Sequence, residues 1–148
     1  MGSIALAPGA RLYLDTSALI YAVERNPVFW PLLQPVWAAA KASIVRLETS
    51  ALTLLEVLVG PLKSGNAALA ATYDGLLHSR DLLVHTIDNA VLREAARLRS
   101  MVAGLRTPDA IHAATALLTS PDSFLTNDPD FRKVPGLPVT VLSDLLTP

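Results

Sequence analysis

Residues 11–21, which read RLYLDTSALIY, show how the chain begins to fold. The first four residues form a short apolar run that predicts a buried strand, and residues 18–23 are apolar in the manner of a helix. Thr16 or Ser17 is expected to cap that helix. Asp15 therefore stands directly after a strand, where parallel α/β sheets collect their functional groups.

Strands and helices alternate along the rest of the chain. This alternation implies parallel βαβ units, so the sequence predicts a three-layer α/β sandwich with a mainly parallel central sheet flanked by helices. No linker or repeat divides residues 1–148, which are expected to form a single domain with its core at about residues 11–142. The predicted strands are 11–14, 44–47, 82–86, 123–126 and 139–142, and the predicted helices are 18–23, 31–42, 51–62, 66–78, 88–102 and 107–118.

The composition indicates a folded chain with a substantial core. The chain has 148 residues, of which 51% are apolar and only 5% aromatic. Its net charge of −1 provides no general attraction to nucleic acid. It has no cysteine, which excludes disulfides and thiolate metal sites. No apolar stretch approaches the roughly 20 residues that span a bilayer, so a cytoplasmic protein without membrane contact is expected.

Four carboxylates occupy conspicuous positions: Asp15, Glu56, Asp109 and Asp128. Asp15 and Asp128 follow predicted strands, Asp109 opens a helix, and Glu56 interrupts an apolar helical segment. If the fold gathers them, they repel one another, since two carboxylates about 4 Å apart cost roughly 4 kcal/mol at an effective dielectric near 20. A divalent cation would relieve this repulsion, so the pattern predicts a metal-dependent hydrolase.

Each carboxylate taken alone has an ordinary explanation. Asp15 could cap a helix, Asp109 could interact with the helix dipole, and Asp128 could begin a turn before Pro129. Glu56 is harder to explain, because apolar residues at helical spacing (52, 55, 59 and 62) predict that it lies on a partly buried face. The four together favour one shared site.

Four segments carry a family resemblance and occur in the family's order. They read LDTSALIY at residues 14–21, TLLEVLVGP at 53–61, TPDAIHAATA at 107–116 and FLTNDPDF at 124–131. Together they resemble the four motifs of PIN-domain nucleases. In size and motif wording, the chain is most similar to VapC-type toxins of prokaryotic toxin–antitoxin pairs. Each motif alone is weak, but four in register are specific.

The resemblance implies an endoribonuclease whose acidic pocket holds Mg²⁺ or Mn²⁺, and oxygen ligands without thiolates suit those ions. Asp15 and Asp109 are expected as the first ligands, with Asp128 completing or water-bridging the site. Glu56 is expected to bind a second ion or to orient the attacking water. Asp130 competes with Asp128 for the fourth acidic position, and both one-ion and two-ion sites remain open.

Polar residues beside the acidic motifs are candidates for contacts with RNA. Hydroxyl, amide and guanidinium groups can bind phosphate oxygens or waters, although the uncharged ones could equally be caps and turn formers. His112 is expected to be a hydrogen-bonded histidine near the core rather than a ligand. The candidate RNA-binding residues are Thr16, Ser17, Thr126, Asn127 and Arg132.

The resemblance also implies three partners: an RNA substrate, a cognate antitoxin protein and a second copy of the chain in a homodimer. Trp30 and Trp37 lie seven residues apart on one helix face. They either pack in the core or line an apolar groove for the antitoxin. The alternative functions are a housekeeping RNA-processing PIN nuclease and a PIN-like binding module that has lost catalysis.

Overall fold

The computed structural model describes residues 1–146, which form five strands and six α-helices. Two short 3₁₀ helices, Pro129–Lys133 and Leu142–Leu146, follow the last two strands. The strands are β1 (Arg11–Leu14), β2 (Arg46–Ser50), β3 (Leu82–His85), β4 (Ser123–Thr126) and β5 (Val139–Val141). The helices are α1 (Thr16–Val23), α2 (Trp30–Lys41), α3 (Leu52–Ser64), α4 (Ala67–Leu77), α5 (Asn89–Met101) and α6 (Thr107–Thr119).

The strands form one sheet in the order β3-β2-β1-β4-β5, and every neighbouring pair is parallel. One apolar core lies between the sheet and α1–α4, and a second lies between the sheet and α5–α6. Helices on both faces of a parallel sheet confirm the predicted three-layer α/β sandwich. The parallel order also brings the carboxyl ends of β1, β2 and β4 to the same edge.

The second strand lies further along the chain than predicted. It runs Arg46–Ser50 rather than 44–47, and it includes the fully buried Glu48. The prediction was wrong because it ended the strand before Glu48, the first acidic residue of the segment. Glu48 is buried with an arginine and a histidine from the neighbouring strands, and these partners are distant in sequence.

Helix α3 is longer than predicted and turns a different face to the core. It continues past Pro61 to Ser64 and ends at Gly65, whose φ of 68° closes the helix in the left-handed conformation. Its buried residues are Thr53, Val57 and Pro61. The residues expected around Glu56 on a buried face are instead partly or fully exposed, most of all Leu55, Val59 and Leu62.

The first helix also begins differently. Asp15 caps it, because the Asp15 side chain accepts a hydrogen bond from the N–H of Thr16. The predicted caps, Thr16 and Ser17, instead lie in the first turn of the helix. Within residues 1–146, no helix combines the length and apolar character needed to cross a membrane.

Candidate active site

Asp15 lies at the carboxyl edge of the sheet, between β1 and α1. Its side chain is largely buried, and both oxygens accept hydrogen bonds. Oδ1 accepts from the Thr16 N–H at 2.8 Å, and Oδ2 accepts from the Thr126 hydroxyl at 2.7 Å. Burial raises the pKa of Asp15 above its ordinary value, although His112 and the two hydrogen bonds oppose this rise. A carboxylate in this setting favours a nearby cation.

Glu56 reaches the same point from α3. Its Oε1 accepts hydrogen bonds from the Thr16 hydroxyl at 2.9 Å and from Nε2 of His112 at 2.7 Å. Burial acts to raise the pKa of Glu56, but the hydrogen bonds from His112 and from the Thr16 hydroxyl oppose it, and the pKa is lowered. Asp15 and Glu56 therefore share the same two neighbours, while their pKa values shift in opposite directions.

Asp109 and Asp128 line a neighbouring pocket of about 220 Å³. Asp109 occupies the first turn of α6, and its Oδ2 accepts a hydrogen bond from Nε of Arg106 at 3.1 Å. Lys133, on the 3₁₀ helix after β4, lines the same pocket. With Asp130, three carboxylates and two cationic side chains therefore line this pocket, which suits a pocket that admits both a metal ion and a phosphate.

Thr126, the last residue of β4, connects the two carboxylate pairs. Its hydroxyl donates to Asp15 and accepts from the N–H of Asp128 at 3.0 Å. Asp128 in turn caps the 3₁₀ helix by accepting from the N–H of Asp130 at 2.9 Å. Asp130, the competing fourth acid, also lines the pocket, but its side chain is exposed and lies 3.3 Å from the Lys133 ammonium.

The four candidate carboxylates thus form two pairs rather than one tight group. Among the residues that the structure describes, no three Asp, Glu or His side chains are arranged to hold a single ion. The donor set nevertheless suits a hard divalent cation, because it offers only oxygen ligands and includes one buried carboxylate with a raised pKa. The residues therefore fit such an ion by their chemistry.

The remaining candidate RNA contacts mostly have structural partners. The Ser17 hydroxyl accepts from the N–H of Asn127 at 3.3 Å. The Asn127 side chain donates to the Tyr21 hydroxyl at 3.2 Å and accepts from the N–H of Ser143 at 3.1 Å. Arg132 forms an ion pair with Asp144. These contacts hold the loop after β4 against α1 and the last 3₁₀ helix.

Two residues that sequence reasoning left outside the site lie directly behind it. His112 is only 1% exposed, as expected for a histidine near the core, yet it contacts Glu56 and Thr16. Its other ring nitrogen lies 2.8 Å from the hydroxyl of Tyr13 on β1. The spacing of three residues between Asp109 and His112 hinted at a shared helix face. Tyr13, within an apolar strand, gave no such signal.

A profile of the PIN domain matches residues 12–137, which is most of the chain. The chain belongs to the PIN-domain family. PIN domains are nucleases, so the match places the chain among the hydrolases. The family resemblance inferred from the four motifs is thereby confirmed. The comparison with curated proteins gave no match.

Several solved toxin–antitoxin complexes have the same fold. VapBC2 from Rickettsia felis, solved with a promoter DNA fragment, aligns with a TM-score of 0.70 at 19% identity, covering 88% of this chain and 98% of that chain. A toxin–antitoxin complex from Klebsiella pneumoniae has a TM-score of 0.63 at 24% identity, and the alignment covers 88% of this chain and 97% of that chain. VapBC-5 from Mycobacterium tuberculosis has a TM-score of 0.58 at 27% identity, covering 89% and 97%. These PIN relatives agree with the predicted similarity to VapC-type toxins.

Proposed function

We propose that this PIN domain is a metal-dependent endoribonuclease and the toxin of a toxin–antitoxin pair. One observation carries the catalytic part of the proposal. Asp15 is a buried carboxylate with a raised pKa at the carboxyl edge of the sheet, beside Glu56, and it has no lysine or arginine partner among the described residues. The toxin role is supported by the structural similarity to VapBC complexes.

The proposed ion is Mg²⁺ or Mn²⁺. Asp15 and Asp109 would be its first ligands, Asp128 would complete or water-bridge the site, and Glu56 would bind a second ion or orient a water. When bound, such an ion polarises a phosphate, lowers the pKa of a bound water and stabilises a departing oxygen. The two carboxylate pairs, which are linked through Thr126, are compatible with either one ion or two.

The chain's own residues would prepare the site for this chemistry. Thr16 and Thr126 fix the two oxygens of Asp15 through short hydrogen bonds, which limits the rotation of that side chain. Arg106 and Lys133 supply positive charge in the pocket with Asp109 and Asp128. They would attract an RNA phosphate to a site whose carboxylates would otherwise repel it.

The other proposed RNA contacts differ in how readily their side chains could exchange their present partners for RNA. Arg132 is half-exposed and could exchange Asp144 for a phosphate. Ser17 and Asn127 are already engaged with each other and with neighbouring elements, so we propose that they shape the loop that RNA approaches. Thr16 and Thr126 would act through the carboxylates that they bind.

The proposed partners are RNA, a cognate antitoxin and a second copy of the chain, in the cytoplasm. Leu55, Val59 and Leu62 form an exposed apolar stripe along α3, and such a stripe supports a protein interface. Trp30 and Trp37 are partly buried against the core, so they keep some surface for an antitoxin segment. An isologous interface through α3 is the simplest arrangement for a homodimer.

The catalytic proposal is tested by incubating a mixed RNA pool with the protein and Mg²⁺, Mn²⁺ or EDTA. We expect cleavage with either metal, none with EDTA, and a loss of about 100-fold or more in Asp15→Asn. Asp128→Asn and Asp130→Asn form a matched pair that identifies the fourth acid, since both residues line one pocket. Asp81→Asn, in a separate pocket, is the control and should cleave normally. Cleavage that survives EDTA and Asp15→Asn would overturn the mechanism.

The homodimer is tested by light scattering coupled to size-exclusion chromatography. We expect the wild type to elute as a dimer and Leu62→Glu to shift it to monomer. Leu118→Glu, at another exposed leucine on α6, is the control and should remain dimeric. A monomeric wild type at micromolar concentration, or equal effects of both substitutions, would exclude a dimer through the α3 stripe.

A further inference from the structure

Both ring nitrogens of His112 form hydrogen bonds, one of them to the candidate site. Nε2 lies 2.7 Å from Oε1 of Glu56 and 3.2 Å from the Thr16 hydroxyl, and Nδ1 lies 2.8 Å from the Tyr13 hydroxyl. The ring is 1% exposed, so water does not compete for these bonds. A buried ring that is held at both ends has one orientation.

The direction of each hydrogen bond follows from what the partners can do. The ionised carboxylate of Glu56 only accepts, so Nε2 of His112 must carry the proton that joins them. In a neutral ring, Nδ1 is then the acceptor, and Tyr13 donates to it. Burial, with Asp15 nearby, raises the pKa of Tyr13 well above its ordinary value, so its hydroxyl keeps the proton that it donates. The protons thus point from Tyr13 through His112 to Glu56.

The bonds to Glu56 fall on one of its two oxygens. Oε1 accepts from both His112 and Thr16, whereas Oε2 has no hydrogen-bond partner among the described residues. The side chain of Glu56 is 28% exposed, so its second oxygen is accessible to water or to an ion. Two donors on one oxygen fix the rotamer and leave the other oxygen available.

We propose that His112 is a positioning residue, which holds Oε1 of Glu56 through Nε2–H so that Oε2 is presented to a divalent cation or its water. Tyr13 supports it by fixing the tautomer of the ring. This inference rests on the proposed function, because it assigns Glu56 a role toward the ion. Partners of this kind behind a metal ligand typically change metal affinity or activity by about 10- to 100-fold when removed.

Two amide substitutions separate the two ends of the ring. The amide of Gln reaches about as far as Nε2 of histidine, whereas the amide of Asn reaches only about as far as Nδ1. His112→Gln therefore keeps a donor for Glu56, and His112→Asn loses it while keeping a polar group near Tyr13. Both variants place one amide in the same cavity, so a difference between them reports on the contact with Glu56.

The first experiment is nitrogen NMR of the wild type with labelled histidine. The chain has three histidines, and the signal missing in His112→Gln identifies His112. We expect the Nε2–H tautomer, with Nδ1 as an acceptor. The Nδ1–H tautomer would overturn the proposal, and this result depends on neither RNA nor metal.

The second experiment titrates Mn²⁺ into the metal-free proteins. We expect His112→Asn to weaken Mn²⁺ binding by about 10-fold or more, and His112→Gln to stay within about threefold of the wild type. Tyr13→Phe keeps the ring that stacks on Phe124 and should weaken binding by about threefold. Equal affinities of His112→Asn and the wild type would overturn the proposal. If His112→Asn does not fold, an unchanged tautomer and affinity in Tyr13→Phe would overturn it instead.

The third experiment separates the inference from the nuclease proposal. With an RNA substrate, His112→Asn should lower kcat by about 10-fold or more and leave KM within about twofold, and His112→Gln should restore most of kcat. If the wild type binds Mn²⁺ with the expected variant pattern but cleaves no RNA, the nuclease proposal fails and the positioning role stands. If the wild type cleaves RNA but both amide variants behave alike, the positioning role fails.

Discussion

Two buried carboxylates, one within β2 and one directly after β1, have opposite surroundings. Glu48, in the middle of β2, is fully buried and binds Arg11 on β1 and His85 on β3. Asp15, at the end of β1, has two hydroxyl or N–H donors, His112 at 3.8 Å and no arginine or lysine among the described residues. Burial acts to raise both pKa values, but the bonds to Arg11 and His85 lower that of Glu48, whereas that of Asp15 stays raised.

This difference separates a structural carboxylate from the one that we propose to be functional. Glu48 carries its own counter-charges, and these tie three adjacent strands together. Asp15 lacks a permanent counter-charge, so a cation from solution would satisfy it best. The exposed fractions of Glu48 and Asp15 alone would not distinguish them. The two residues differ in whether their hydrogen-bond partners include an arginine.

Removing the guanidinium of Arg11 should have the largest effect on stability. Arg11→Met leaves the Glu48 charge buried with only His85 beside it. We expect a loss of about 2 kcal/mol in the free energy of unfolding, less than the 3–5 kcal/mol for fully buried pairs because the Arg11 side chain is 35% exposed. Urea denaturation measures it. Arg46→Met is the matched control, since Arg46 lies opposite Arg11 in the sheet without an ion pair among the described residues.

A loss below about 0.5 kcal/mol in Arg11→Met, or the same loss in Arg46→Met, would contradict the assignment of Glu48 as a structural ion pair. Cleavage by both variants should remain close to that of the wild type, because both arginines line a pocket that contains none of the candidate carboxylates. A selective loss of cleavage in Arg11→Met with unchanged stability would mean that Arg11 and Glu48 serve cleavage and not stability.

The sequence predicted the fold well because its signals are local. Apolar runs, capping residues and helical spacing reveal which segments are strands and helices, and their alternation implies the parallel sheet. The burial of Glu48 depends instead on Arg11 and His85, each 37 residues away along the chain. No local pattern shows that a glutamate within β2 will meet its counter-charges there, so the strand was placed too early.

Only part of the site could be predicted from the sequence, for a related reason. The four motifs predicted which acids form the site, and repulsion was expected to be shared among them. In the structure Asp109 has Arg106 as a partner, and burial acts on the pKa values of Asp15 and Glu56. The two hydrogen bonds of His112 involve Tyr13 and Glu56, which lie 99 and 56 positions away along the chain. The spacing within α6 suggested that Asp109 and His112 share a helix face, but it did not show which residues contact His112.

Divalent cations should stabilise the protein through Asp15 and not through Glu48. At a Mn²⁺ concentration about ten times the dissociation constant, we expect a gain of about 1.4 kcal/mol, which corresponds to a rise in Tm of roughly 4–5 °C. Asp15→Asn should lose most of this gain, while Glu48→Gln should keep it. Differential scanning fluorimetry with and without Mn²⁺ measures both. A gain that disappears in Glu48→Gln but persists in Asp15→Asn would show that the ion binds at Glu48 and not at Asp15.

The pH dependence of stability should have opposite signs at the two residues. The pKa of Asp15 is raised on folding, so its ionised form destabilises the metal-free protein, and this cost disappears as the pH falls through the raised pKa. Asp15→Asn should therefore gain on the order of 1 kcal/mol at pH 7 and progressively less in acid. Urea denaturation from pH 7 down to about pH 4 measures this trend.

The pKa of Glu48 is lowered on folding, so its stabilising effect is complete above the unfolded value of about 4.3 and is lost as the pH falls through the lower folded value. Glu48→Gln should therefore be less stable than the wild type at pH 7, with a deficit that shrinks in acid. Both substitutions preserve side-chain size, so each is a control for the other. If Asp15→Asn and Glu48→Gln changed the free energy of unfolding in the same direction at pH 7, the two carboxylates would not differ as proposed.

The smallest expected effect concerns His85, the second partner of Glu48. Nε2 of His85 lies 2.6 Å from Oε1 of Glu48, and its side chain is only partly buried. His85→Gln keeps a donor near that position and should change the free energy of unfolding by less than about 0.5 kcal/mol, whereas His85→Leu removes the donor and should cost about 1 kcal/mol. Urea denaturation at neutral pH resolves the two. Because Arg11 still neutralises Glu48 in both variants, a loss in His85→Leu larger than that in Arg11→Met would mean that the histidine is the main counter-charge.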